Sequence, residues 1–205
     1  MILQVNHISK SFGDRQVLSD ISFTIDSGEA MALLGHNGAG KTTLLRIITR
    51  LIEPDNGSVL FDGYPLGQAD MKQIGYLPEE RGLYRNMRVG EQATYLMQLK
   101  GLSRREAHDA LHQWMQRLGM DDWWNTPVNK LSKGMQQRLQ FVVSVAHSPR
   151  LLILDEPFSG FDANNASVLH STIDSLRAQG TAIILSTHNL QAASELCDHN
   201  LTLNT

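Results

Sequence analysis

Gly35-His36-Asn37-Gly38-Ala39-Gly40-Lys41-Thr42 constrains the fold of this chain more than any other stretch. It fits the spacing G-x-x-x-x-G-K-[ST] and follows the apolar run Ala30-Met31-Ala32-Leu33-Leu34 directly. Beyond it, Lys41 to Arg50 reads as a helix whose apolar face carries Leu44, Leu45, Ile47 and Ile48. A strand, a glycine turn and a helix in that order aim consecutive backbone N–H groups at one anion. The helix contributes its positive end at the same point. Lys41 is then placed to reach the β- and γ-phosphates of a nucleotide. Thr42 would hold Mg²⁺ with its hydroxyl, and Thr43 follows it into the same cradle. The competing reading, a glycine turn that only caps a helix, does not need a lysine and a hydroxyl at these two positions.

Similar patterns flank the loop. Ile21, Phe23 and Ile25 alternate with Ser22 and Thr24, the period of a half-buried strand. Glu53-Pro54-Asp55-Asn56-Gly57 is a turn, and a strand follows around Val59 to Phe61. Leu151-Leu152-Ile153-Leu154 and Ala182-Ile183-Ile184-Leu185 are uninterrupted apolar runs, as in strands covered on both faces of a parallel sheet. Between them, from about Glu80 to Arg150, the period turns helical. Ser103-Arg104-Arg105-Glu106 is a capping box. Behind it Ala107, Leu111, Trp114, Met115 and Leu118 share a face, and Gly119 is placed to end the helix. The expectation is an α/β domain with a helical insertion. At about 150 residues per domain, the 205 residues suit one domain so enlarged.

Composition narrows the function classes. With 41% hydrophobic and 19% charged residues, the chain is neither collagenous nor disordered. A net charge of −3 leaves no basic footprint for nucleic acid. Cys197 is the single cysteine, so no intramolecular disulfide forms and a reducing compartment is the simpler assumption. No run nears the roughly 18 apolar residues of a membrane span, and Met1 to His7 lacks the pattern of a secretory signal. A soluble, cytosolic chain is expected. Residues 79–150 hold 11 Lys and Arg against 7 Asp and Glu, and the remainder is acidic. That split suits either scattered solvated side chains or a block that meets an acidic partner.

The run 151–154 ends in Asp155-Glu156. Ligands of open parallel sheets bind beyond the carboxyl ends of the strands, where the glycine loop also lies. Strand alternation would send the two carboxylates to opposite sides and give them different tasks. Asp155 would hold Mg²⁺, and Glu156 would polarise an attacking water. A helix cap or a solvated acid pair is the competing reading. Leu131-Ser132-Lys133-Gly134-Met135 precedes another helix, through Leu139, Val142, Val143 and Ala146. Taken alone, Ser132 is a good N-cap.

Taken in order, these motifs resemble the nucleotide-binding subunit of an ABC transporter, over essentially the whole chain. Leu-Ser-Lys-Gly-Met at 131–135 is similar to the family's signature, its most specific mark. The order of phosphate loop, signature, acidic strand and Ser186-Thr187-His188 is also the family's. The resemblance implies a P-loop NTPase with a RecA-like parallel-sheet core and an N-terminal antiparallel β subdomain, in residues 1–78 and 151–205. Residues 79–150 would form an inserted α-helical subdomain bearing the signature. It implies ATP and Mg²⁺ as ligands, with Gly35 to Thr43 around the phosphates and Phe12 as the aromatic on which adenine stacks. His188 would contact the γ-phosphate, and Asp162 would link two nucleotide sites. Lys41, Glu156 and His188 would be catalytic. Ser132, Lys133, Gly134 and Met135 would meet the ATP of a second subunit, in a head-to-tail homodimer or a heterodimer with a related ATPase. Outside that context Phe12 suits an ordinary core or edge aromatic, and His188 a packing or capping residue.

Two departures stand out. Where the family usually has Gln after Ile74-Gly75-Tyr76-Leu77-Pro78, this chain has Glu79, which can bind Mg²⁺ and water but adds negative charge beside a triphosphate. Met135 replaces a common Gln, while Ser132 and Gly134 remain. The run Leu77 to Tyr84 is similar to the sodium- and drug-efflux branch of bacterial ABC exporters. The resemblance implies an ATPase on the cytoplasmic face of the membrane, driving separate transmembrane permease subunits, with no nucleic-acid partner. A docking groove for them is expected near Glu79 to Arg88. The alternatives are a soluble ABC ATPase acting on a ribosome or on DNA, and a nucleotide-dependent regulator with little turnover. The sequence runs only shortly past Leu203, and no further regulatory helix is expected from it.

Overall fold

The computed structural model describes residues 1–80, 82–158 and 163–203, with the side chains of all of these except 163–166. Two sheets share the chain. Strands β1 (Leu3–Phe12), β2 (Arg15–Ile25), β4 (Asn56–Phe61) and β5 (Tyr64–Pro65) form an antiparallel sheet in the order β2-β1-β4-β5. Strands β3 (Ala30–Leu34), β6 (Ile74–Leu77), β7 (Leu151–Asp155), β8 (Ala182–Thr187) and β9 (His199–Thr202) form a parallel sheet in the order β6-β7-β8-β3-β9.

The burial patterns explain this division. Every residue of β3, β7 and β8 is buried, as the unbroken apolar runs require of strands covered on both faces. In β2, Ile21, Phe23 and Ile25 turn inward while Ser22 and Thr24 stay exposed. Helix α1 (Lys41–Ile48) follows β3 and buries Leu44, Leu45, Ile47 and Ile48 against the core, stopping two residues short of the expected Arg50. Arg50 has a left-handed backbone, φ 56°, which no helix can continue through.

Between β6 and β7 lie helices α2 (Val89–Leu99), α3 (Arg104–Arg117) and α4 (Lys133–Val145). They share a core of their own around Ala93, Met97, Leu111, Met115, Leu139 and Val142. The capping box at α3 forms as expected: Glu106 N–H donates to Ser103 Oγ at 3.3 Å, and Ser103 N–H to Glu106 Oε2 at 2.8 Å. Helices α5 (Ala163–Ala178) and α6 (Leu190–Leu196) flank β8 in the chain. Gly75 lets α4 lie against the sheet backbone. A Cβ there would fall 2.1 Å from the carbonyl oxygen of Ser144.

Candidate nucleotide site

The glycine loop leaves β3 and enters α1 through Gly40, whose φ is 95°. A Cβ at Gly40 would lie 2.8 Å from the Val17 carbonyl oxygen, so the loop is pressed onto β2 and only glycine fits. Its N-cap, Gly40, offers no side chain to cap α1, and Lys41, Thr42 and Thr43 of its first turn line a cleft of about 670 Å³ together with Asn37, Gly38 and Gly40. The other loop residues act from behind. Ala39 is buried in the core, and the Gly35 and His36 carbonyls accept from Lys41 Nζ at 2.7 and 3.3 Å.

Across the cleft stand Asp155, Glu156, His188 and Glu79, with Phe12 at its edge. Asp155 ends β7 and is buried. Its Oδ1 accepts from Ser186 Oγ, and its Oδ2 is buried with no partner among the described residues. Glu156 does not continue the strand alternation. Its φ is 48°, and its N–H donates back to the Ser186 carbonyl and hydroxyl, both at 3.1 Å. The left-handed turn therefore brings both carboxylates to one cleft, where alternation had predicted opposite sides. Glu156 Oε1 is buried with no hydrogen-bond partner among the described residues, 3.8 Å from Lys41 Nζ. Its Oε2 accepts from His188 Nδ1 at 3.0 Å.

Phe12 is 53% exposed, too open for a core aromatic, though its place at the end of β1 also suits an edge one. Lys10 Nζ lies 5.6 Å from its ring centre and donates to Asp55 at 2.7 Å. Two wall residues escaped the sequence reading, Arg15 and Val17 on β2. Arg15 pairs with Phe12 across Gly13-Asp14, a two-residue hairpin signal that would have placed it there. Ser186, the anchor of both acids, carried no separate signal. The signature residues lie elsewhere: none of Ser132, Lys133, Gly134 and Met135 lines this cleft. Ser132 caps α4, accepting from Met135 N–H at 3.3 Å. Asp162 lies outside the described residues.

The arrangement can hold a polyphosphate between the loop amides and Lys41. Two carboxylate oxygens beside it, Asp155 Oδ2 and Glu156 Oε1, have no partner among the described residues. One hydroxyl, Thr42, with Asp155 and Glu79 is a donor set that suits Mg²⁺ shared with phosphate oxygens rather than a closed protein cage.

A second concavity, about 600 Å³, opens between α2, α4 and β6. Its walls include Tyr76, Leu83, Leu96, Leu99 and Val143, with Leu51, Arg46, Glu80 and Lys100 around them. Leu51 and Leu99 are 62% and 59% exposed, an uncovered apolar rim. Burial, and then the Asp155 charge, push the Tyr76 phenol up to about 12. No helix among the described residues is long and apolar enough to cross a membrane.

A sequence profile described as "ABC transporter" matches residues 18–159. An uncharacterized ABC transporter ATP-binding protein of Bacillus subtilis is 43% identical over 97% of this chain. A Nod factor export ATP-binding protein of Sinorhizobium fredii is 36% identical over 96% of it. The chain spans 66% of the length of the first and 58% of the second. A solved structure described as the ATP-binding subunit of an ABC transporter superposes with a TM-score of 0.93 at 33% identity. That match covers 100% of this chain and 86% of the other.

Proposed function

Because this chain belongs to the ABC transporter family, we propose that it binds and hydrolyses ATP to energise a separate membrane permease, in the direction of export. One observation carries the reading: Lys41, Glu156 and His188 converge on one cleft with the buried Asp155 beside them. In-line attack on the γ-phosphate needs an oriented water and charge stabilisation more than covalent chemistry. Glu156 supplies the base, with its free oxygen facing the lysine that holds the phosphates. His188 holds the other oxygen and fixes the carboxylate's direction. Lys41 leaves the Gly35 and His36 carbonyls when phosphate oxygens replace them. Thr42, Asp155 and Glu79 would hold Mg²⁺, which when bound neutralises phosphate charge.

Ser132 and Gly134 stand away from the cleft, so in this reading they serve the ATP of a second subunit in a head-to-tail dimer. A capped helix start is a ready anion site, and it reads a γ-phosphate only when two subunits close. Residues 79–150 act as the unit that carries it. The apolar groove beside Glu80 and Leu83 receives the permease, which places the chain at the cytoplasmic face of the membrane. The efflux-like run from Leu77 to Tyr84 and the export relative support the direction.

Steady-state phosphate release from the purified protein tests the hydrolytic part. Continuous Mg²⁺-dependent release is expected. Tight ATP binding with no turnover would favour the regulator instead.

A further inference from the structure

The helical block meets the parallel sheet where two of its helices end. Helix α4 is seated directly: the Ser144 carbonyl occupies the space that Gly75 leaves open, and His147 Nε2, just beyond the helix, lies 3.3 Å from the Ile74 carbonyl. Helix α2 ends at Lys100, its C-cap, where a cation also suits the helix dipole. The Lys100 side chain runs inward, and its ammonium donates to the carbonyls of Met71 at 2.7 Å and Ile74 at 2.6 Å. Both helix ends thus converge on Ile74, the first residue of β6. The same strand runs on through Leu77 and Pro78 to Glu79 in the nucleotide cleft.

We propose that Lys100 is a positioning residue: its ammonium pins the end of α2 to the start of β6. It thereby sets the angle at which the helical block presents Ser132 and Gly134. Burying an ammonium against carbonyl dipoles is costly, and an apolar side chain of the same length avoids that cost. Burial accordingly pushes the amine down to about 8. A lysine kept at such a site is better explained by orientation than by cohesion. Greasy contacts along the groove can slide, whereas a donor shared by two fixed carbonyls has one geometry. Lys100 also lines the apolar groove, so anything seated there acts on the pin.

The consequence for turnover rests on the ATPase reading above, but the geometry can be tested without it. Spin labels at positions 53 and 105, both solvent-exposed in this fold, report the distance between core and helical block in a Cys197→Ser background. The native protein is expected to give one narrow distribution. Lys100→Met should broaden or displace it, because the methionine keeps the length of the side chain but offers no donor to the two carbonyls. If the ATPase reading holds, kcat should drop about two- to thirtyfold while ATP affinity is unchanged. Lys100→Arg should restore part of the narrow distribution, which simple loss of packing would not predict. Should Lys100→Met fail to fold, Lys100→Gln replaces it, since its shorter amide cannot reach both carbonyls. A native-like distribution in the variant would overturn the proposal. A changed distribution with no hydrolysis in either protein would sustain the pin and remove the ATPase reading instead.

Discussion

His188 Nδ1 and Glu156 Oε2 lie 3.0 Å apart, although 32 residues separate them in the chain. The imidazole is largely exposed and the carboxylate nearly buried, so the histidine forms the solvent-side face of the acid. The bond leaves the other carboxylate oxygen, Oε1, 3.8 Å from Lys41 Nζ, with no hydrogen-bond partner among the described residues. A carboxylate held through one oxygen has its direction fixed before anything enters the cleft.

Glu156→Gln keeps the side chain's shape and removes its basicity. Phosphate release should fall by about 10²- to 10⁴-fold. ATP affinity by calorimetry should stay near the wild-type value, and size-exclusion chromatography with ATP should show a trapped dimer. Release at the wild-type rate would take Glu156 out of the mechanism.

Ser186 links the two acids, donating to Asp155 Oδ1 and accepting from Glu156 N–H. Ser186→Ala leaves a buried carboxylate oxygen without a partner, at a cost of about 1.5–3 kcal/mol. Urea unfolding should show that loss, together with a higher Mg²⁺ requirement for turnover. An unchanged midpoint would mean that the bond contributes nothing.

Gly40→Ala meets two obstacles together: φ at 95°, and a Val17 carbonyl oxygen 2.8 Å from the new methyl. It should destabilise the fold by about 1–3 kcal/mol and weaken nucleotide binding, since the loop must lift off β2. Gly63→Ala is the control. Its φ is 79°, but no atom lies within 4 Å, so about 1–2 kcal/mol of backbone strain is the whole effect and ATP affinity is untouched.

Burial, reinforced by the Lys100 charge, pushes the His147 imidazole from 6.5 down to about 4. Between these values the unfolded chain binds more protons than the native protein. Stability present above pH 6.5 is therefore lost as pH falls towards 4, by about 3 kcal/mol. Chemical denaturation at pH 7 and pH 4.5 should show the difference, and His147→Gln should reduce it. Equal slopes in the two proteins would assign the acid sensitivity to other groups.

What could be read from the chain alone follows a physical line. The glycine turn between β3 and α1, the buried strands and the α3 capping box are local patterns, with period and spacing set by backbone geometry, and each formed where expected. The placement of Glu156 was not legible. The strand period gives its direction only while the strand lasts, and Ser186, from a neighbouring strand, turns the backbone away at that residue. Arg15 is set opposite Phe12 by the Gly13-Asp14 hairpin, a signal the sequence does carry, but the rest of the cleft it borders is built by other elements. Lys100 carried no signal of its own, because the carbonyls that it reaches come from 26 and 29 residues earlier in the chain. Local chemistry announces itself in sequence, whereas partners supplied by other elements do not.

The most direct test of the central claim is affinity purification of tagged Glu156→Gln from its native cells with ATP present. Membrane and soluble fractions are processed separately, and each eluate is read by mass spectrometry. A polytopic membrane protein enriched from the membrane fraction, and lost when Leu51 and Leu99 of the groove are replaced by Asp, is the predicted result. Ribosomal or chromosomal partners in the soluble fraction, with no membrane protein in either, would contradict it.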